Sequence, residues 1–173
     1  MRDPISLDDL TSNNLGTFKK INTSSLPVKY PESWYKDSLN KDQIISLGYY
    51  RELPVAGIKL KTISTQHNIN CFETGIQQQL NSKILPNAVY IESFAVLKPY
   101  RHLGIGSKLL DFAIEKTKQH FVHEITAHVH VDNHEALDWY LKHGFQKDEN
   151  VLKDYFKQQG LPNPDAYIIR MKV

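Results

Sequence analysis

The stretch from Val89 to Ser107 restricts this chain more than any other. A short apolar run, Val89 to Leu97, gives way to Lys98-Pro99-Tyr100-Arg101-His102-Leu103-Gly104-Ile105-Gly106-Ser107. From Ile105 to His120 the apolar positions Leu109, Leu110, Phe112, Ala113 and Ile114 then fall on one side of a helix. The first run is too short for a buried helix and reads as a buried strand. Ile125 to Val131 alternates, as a strand with one covered face does. A strand, a glycine turn, a helix and a second strand in this order place the two strands side by side.

The flanking segments complete a mixed α/β pattern. Leu15, Phe18 and Ile21 share one face of a helix over about Asn14 to Asn22, which Leu26-Pro27-Val28 interrupts. A short helix is predicted from about Pro31 to Leu39, with the proline in its first turn. Ile44 to Arg51 and Val55 to Thr62 are rich in β-forming residues, and Glu52-Leu53-Pro54 between them predicts an antiparallel hairpin. Ser64 to Lys83, rich in Gln, Asn, Ser and Thr, reads as a surface loop. Asn133 caps a helix that runs to about His143 and ends at Gly144; Phe145 opens a strand, and Ala166 to Met171 is the last one. The expectation is one domain over residues 1–173, a mixed twisted sheet flanked by helices.

Composition narrows the function. At 173 residues and 40% hydrophobic content the chain supports one core. Twenty-one basic against nineteen acidic residues leave a formal charge of +2, which argues against electrostatic binding of nucleic acid and leaves room for a small anionic ligand. Cys71 is alone, so neither an internal disulfide nor a multi-cysteine zinc site can form. No apolar run is long enough to cross a bilayer, and MRDPISLDDL lacks the apolar core of a secretory signal. A cytoplasmic or nuclear protein without membrane association is expected. His128 and His130 share a strand face, but no further ligand spacing accompanies them, so no metal site is expected.

The glycine turn carries the chemistry. Gly104 and Gly106 let backbone amides approach an anion closely, and the helix starting there favours a pyrophosphate at its N-terminus, with Arg101 at the rim. A dinucleotide-binding turn would need a third glycine where this chain has Leu109, and a phosphate-binding P-loop would need Gly-Lys-Ser or Gly-Lys-Thr after a longer spacing. The pattern Arg101-x-x-Gly104-x-Gly106 instead resembles the signature with which GNAT acetyltransferases hold the pyrophosphate of acetyl-CoA. Tyr100 to Gly106, Asn133 to Tyr140, His143-Gly144-Phe145, Pro27-Val28 with Tyr30, Tyr90-Ile91 and His128-Val129 are similar to the catalytic subunit of the NatE type within that family. These segments span most of the chain from Leu15 to Met171.

The resemblance implies a set of roles. Tyr90 and His128 would form the base system, acting through ordered water, and Tyr140 would protonate the CoA thiolate. Arg101, His102, Leu103, Gly104, Ile105, Gly106 and Ser107 would hold the CoA phosphates; Asn133, an N-cap on the residues alone, would by the resemblance also touch CoA, two roles that one side chain can hardly fill together. Backbone amides at Phe94, Ala95 and Val96 would polarise the thioester carbonyl. Leu26, Pro27, Val28 and Tyr30 on one loop and Tyr155 and Phe156 on another would surround the acceptor. On the residues alone, an imidazole that titrates near neutrality suits His128 to proton removal better than Tyr90.

The implied reaction is acetyl transfer from acetyl-CoA to protein N-termini, with Met followed by a hydrophobic residue preferred. The implied partners are the NatA complex subunits and, through them, the ribosome. A NatA-docking subunit with weak chemistry, and a lysine or small-amine acetyltransferase of the same fold, are the alternatives. Three positions depart from the NatE pattern: Leu26 replaces Phe, Lys29 a small polar residue, and Glu92 a Met. Two residues beyond Tyr90 on one strand, Glu92 is expected in the acceptor cleft, where a carboxylate would assist proton removal, attract the substrate ammonium or disfavour an apolar second residue.

Overall fold

The computed structural model describes residues 2–64 and 86–173, so the polar loop expected over Ser64 to Lys83 lies, after its first residue, outside the described residues. Within them the chain forms β1 (Ile5–Asp8), α1 (Leu15–Ser25), α2 (Glu32–Asp37), β2 (Ile44–Tyr50), β3 (Leu53–Ile63) and β4 (Ala88–Val96). A 3₁₀ turn, Lys98–Tyr100, leads to α3 (Ile105–Gln119), β5 (Glu124–His130), α4 (His134–Lys142), β6 (Gln146–Leu152) and β7 (Ala166–Lys172). The strands make one sheet in the order β1-β2-β3-β4-β5-β7-β6.

The first three pairings are antiparallel hairpin-like contacts, whereas β4 and β5, joined through α3, run parallel. Two covered faces explain the long apolar runs of the central strands. On one side α3 lies across the sheet, with Ile105 and Leu109 filling the space left by Gly48. On the other, Phe18 of α1 presses on Gly57 and joins Tyr35, Ile45 and Leu47 in a second cluster. A Cβ at Gly57 would meet the Phe18 ring at 2.9 Å, so that glycine is demanded by helix packing.

Two local expectations needed correction. The hairpin turn is tighter than the Glu52-Leu53-Pro54 segment. Arg51 and Glu52 both take positive φ (48° and 74°), Tyr50 already pairs with Leu53, and Pro54 sits inside β3 beside a register shift. Proline without an N–H fits a bulge as well as a turn, and composition does not separate the two. The edge strand β1 was not expected: Ile-Ser-Leu-Asp is short, mostly exposed and acquires its pairing only from β2.

A second irregularity matters more. The register of β3 against β4 shifts so that Lys59 faces Ser93 and Leu60 faces Ile91, which leaves Glu92 as an extra, bulged residue. On its other edge β4 pairs with β5 only at Val89 and Tyr90. Beyond Tyr90 the two strands diverge, so a wedge opens between Ile91–Val96 and the end of β5.

Candidate active site

The wedge is the meeting point of two cavities. One, of about 480 Å³, is walled by the α1–α2 loop, the bulge of β4, the end of β5 and the β6–β7 loop. The other, of about 640 Å³, runs along the end of β4, the glycine turn and α4. Leu26, Phe94, Asn133, Ala136 and Tyr140 belong to both.

In the second cavity the backbone supplies the polar groups. Gly104 at φ +93° is the N-cap of α3, a conformation that suits glycine, and the first amides of the helix have no carbonyl within it to bond. A Cβ on Gly106 would lie 3.1 Å from the Trp139 ring, so this position keeps the trough open against α4. Leu97 donates its N–H to Val55 of β3, so by strand alternation Phe94 and Val96 direct their N–H and C=O groups to the open edge. The amide of Ala95 therefore faces β3 opposite Gly57, and Ala95 contributes wall but no donor.

Arg101 folds back onto the strand end: Nε donates to the Val96 carbonyl at 2.9 Å, and Nη1 lies 3.4 Å from Glu135. His102, at positive φ and largely exposed, stands at the rim, while Leu103 points to solvent and does not line the trough. Ile105 is buried in the core and offers its amide alone. The Ser107 hydroxyl meets His143 Nε2 at 3.1 Å. Asn133 caps α4, its Oδ1 accepting from the Ala136 N–H at 3.2 Å, so that only its amide nitrogen is directed elsewhere.

The first cavity is built from side chains. Tyr90 is on β4 and His128 on β5, just where the strands part, and His128 Nδ1 is 2.8 Å from the Tyr90 hydroxyl. The same hydroxyl is 3.0 Å from that of Tyr155, whose ring stacks on His128 with centroids 4.2 Å apart. Three groups thus form one hydrogen-bonded chain. Burial, with Arg170 and Lys61 adding positive charge, holds the His128 pKa down at about 4. Imidazole is therefore neutral in the folded protein far below the neutral range expected from its residue type. Burial raises the Tyr90, Tyr30 and Tyr140 phenols above the ordinary tyrosine value, so each stays protonated.

Tyr140 is buried against Phe145 and Trp139 and is in the wall common to both cavities. Leu26, Pro27, Val28 and Tyr30 line one side of the first cavity, Tyr155 and Phe156 the other. Tyr30 donates to the Glu92 carbonyl at 2.6 Å and stacks on Trp34 at 4.1 Å. Among the described residues no cluster of three or more His, Cys, Asp or Glu is gathered to hold a metal.

Residues 23–145 match the model of the acetyltransferase (GNAT) family. The chain belongs to that family. Over 171 residues it is 29% identical to N-alpha-acetyltransferase 50 of Danio rerio, covering 98% of this chain and 89% of the relative. It is 28% identical to the probable N-acetyltransferase san of Drosophila melanogaster over 98% of this chain and 81% of that protein. In structure it is similar to Arabidopsis thaliana Naa50 in complex with the bisubstrate analogue CoA-Ac-MVNAL. The TM-score is 0.77 at 26% identity, covering 99% of this chain and 100% of the other.

Several site residues of this GNAT chain were not found from sequence. Lys59, on the central strand β3 and only 3% exposed, has its ammonium 3.6 Å from Glu92, 3.0 Å from the Ser38 hydroxyl and 4.1 Å from the Trp34 ring centre. Lys61 approaches the other Glu92 oxygen, also at 3.6 Å. Two lysines spaced by two in an otherwise apolar strand were a signal for a carboxylate partner. Trp34 and Gln159, also in the wall, carried no signal of their own.

Proposed function

We propose that the chain transfers the acetyl group of acetyl-CoA to the free α-amino group of protein N-termini, with Met followed by a hydrophobic residue as the preferred start. The observation that carries this reading is the Tyr90–His128–Tyr155 chain at the junction of a phosphate-type trough and a walled acceptor pocket. The trough fits CoA because its polar lining includes a helix N-terminus and a strand edge with no strand beside it, groups suited to a pyrophosphate and to a pantetheine amide chain. Acetyl-CoA supplies the activated acyl group as a thioester.

The protein's own residues do the rest. Free amides of the α3 N-terminus and Gly104 hold the phosphates, and the Phe94 and Val96 amides face charge that develops on the carbonyl oxygen. His128, neutral at physiological pH, accepts the proton released by the attacking amine, either directly or through Tyr90 and ordered water. Tyr90 and Tyr155, both hydroxyl donors and acceptors, orient the ring and pass the proton along. Tyr140 stands where a thiolate leaves and, as a buried neutral phenol, supplies a proton there.

The Glu92 departure does not oppose an apolar acceptor. Its carboxylate is neutralised on both oxygens by Lys59 and Lys61, so the exposed surface of the pocket is set by Leu26, Pro27, Val28, Tyr30 and Phe94. Replacing His128 by Ala and Tyr90 by Phe tests the assignment. Each is expected to lower kcat at least tenfold with little change in acetyl-CoA binding; near-normal turnover in both would refute it.

A further inference from the structure

We propose that Gln159 is a latch that joins the two walls of the acceptor pocket and fixes its width, so that the pocket takes a chain end and rejects a lysine side chain of a continuous peptide. The proposal rests on the acceptor reading above. Lys29 is in the loop between α1 and α2, flanked by Val28 and Tyr30 of the wall. Gln159 closes the 3₁₀ turn Lys157–Gln159 in the opposing β6–β7 loop, three residues after Phe156. Its carboxamide engages both backbone groups of Lys29: Oε1 accepts from the N–H at 2.9 Å, and Nε2 donates to the C=O at 3.2 Å.

A carboxamide paired with both polar groups of one peptide residue copies a two-stranded backbone pairing between segments 130 residues apart. The anchor on the Gln159 side is itself closed. Phe156 donates to the Pro164 carbonyl at 2.7 Å, Gln159 donates to Phe156 at 3.0 Å, and Gly160 ends the turn at φ +70°. Because the contact uses only the backbone of residue 29, it is blind to the side chain there. A lysine in place of a small polar residue is thereby tolerated. The bridge spans the mouth between Pro27-Val28 and Tyr155-Phe156. An amine that arrives at the end of a chain passes under it in line, whereas a lysine amine drags two peptide arms that the bridged mouth excludes.

The test compares the unaltered protein with Gln159→Ala and Gln159→Glu, the second keeping the acceptor for the Lys29 N–H and losing the donor to its carbonyl. Losing two hydrogen bonds that order the pocket predicts a peptide KM about five- to tenfold higher. Change in kcat should stay within about twofold, the KM for acetyl-CoA should not move, and the ratio of N-terminal to lysine acetylation on a peptide offering both amines should fall, with Gln159→Glu between wild type and Gln159→Ala. Amide hydrogen exchange at Lys29 should speed up by about tenfold in Gln159→Ala. Unchanged peptide KM and amine preference, or unchanged exchange at Lys29, would overturn the latch. If the wild-type protein acetylates no free N-terminus, the acceptor reading has failed, and the exchange measurement alone still decides whether the bridge exists.

Discussion

The two cavities are built differently. The donor trough takes half of its lining from one continuous stretch, Phe94 to Ser107, whose backbone amides are exposed by a diverging strand and a starting helix, and most of the rest from Asn133 and α4. The acceptor pocket draws on four segments distant in sequence, and its polar groups are side chains that partner one another: Tyr90 with His128 and Tyr155, Glu92 with Lys59 and Lys61, Gln159 with Lys29. A backbone site is damaged only by changing the path of the chain. A side-chain site is damaged by single substitutions, and these couple to each other.

The contrast breaks most visibly under a conformational lesion. Gly104→Val forces a β-branched residue to φ +93° and is expected to raise the KM for acetyl-CoA by tenfold or more while leaving the peptide KM within about threefold, measured by initial rates. An equal loss on both substrates would erase the distinction between the sites.

The next effect is on stability. Lys59→Met strips a buried carboxylate of its inner partner and is expected to cost about 3 kcal/mol in denaturant unfolding, because Glu92 keeps only the half-exposed Lys61. The double change Lys59→Met with Glu92→Met should cost less than the sum of the single changes, since it removes both charges from a nearly buried site. Additive costs would show that the pair is not coupled.

His128 predicts a change of similar size that depends on pH. Burial holds its folded pKa at about 4 against 6.5 for the free side chain, so the unfolded state binds the proton first as pH falls. Its contribution is intact above pH 6.5 and is lost progressively down to about pH 4, by about 3 kcal/mol. His128→Gln should flatten the stability curve over that window relative to wild type; parallel curves would mean that the imidazole is not desolvated. For the same reason the acid limb of kcat/KM should follow the acceptor's α-ammonium near pH 8 rather than the imidazole.

The smallest expected effect is on the wall itself. Tyr30→Phe removes the hydrogen bond to the bulge carbonyl of Glu92 and keeps the stack on Trp34, so peptide KM should rise about fivefold with acetyl-CoA KM unchanged.

The same contrast explains what could be read in the sequence. The strand, glycine turn and helix of the donor side announce themselves because backbone geometry imposes local residue types: an apolar run, glycine at positive φ, a helical stripe. Most of the sheet followed for the same reason. Edge strand β1 did not, because a four-residue exposed strand owes its existence to the neighbour it pairs with. On the acceptor side, Tyr90 and His128 were named as a pair by the family resemblance, and the strand–helix–strand order added only that their two strands lie together. The buried Lys59, the bulge at Glu92 and the Gln159 bridge were not legible, since each depends on the register of segments that sequence alone does not align. Glu92 is the instructive case: taken by itself it predicts a charged pocket, and only its neighbours across the sheet show the charge to be compensated.

The proposed acceptor is a free α-amine followed by an apolar side chain. Acetyl-CoA turnover should be measured on peptides beginning Met-Leu, Met-Lys, Met-Asp, Ser and Ala, together with an N-terminally blocked lysine peptide, locating the acetyl group by mass spectrometry. The expected result is fastest turnover on Met-Leu, with acetylation at the α-amine and negligible transfer to the blocked peptide. Preferential acetylation of the blocked lysine peptide, or acetyl-CoA binding without turnover on any peptide, would contradict it.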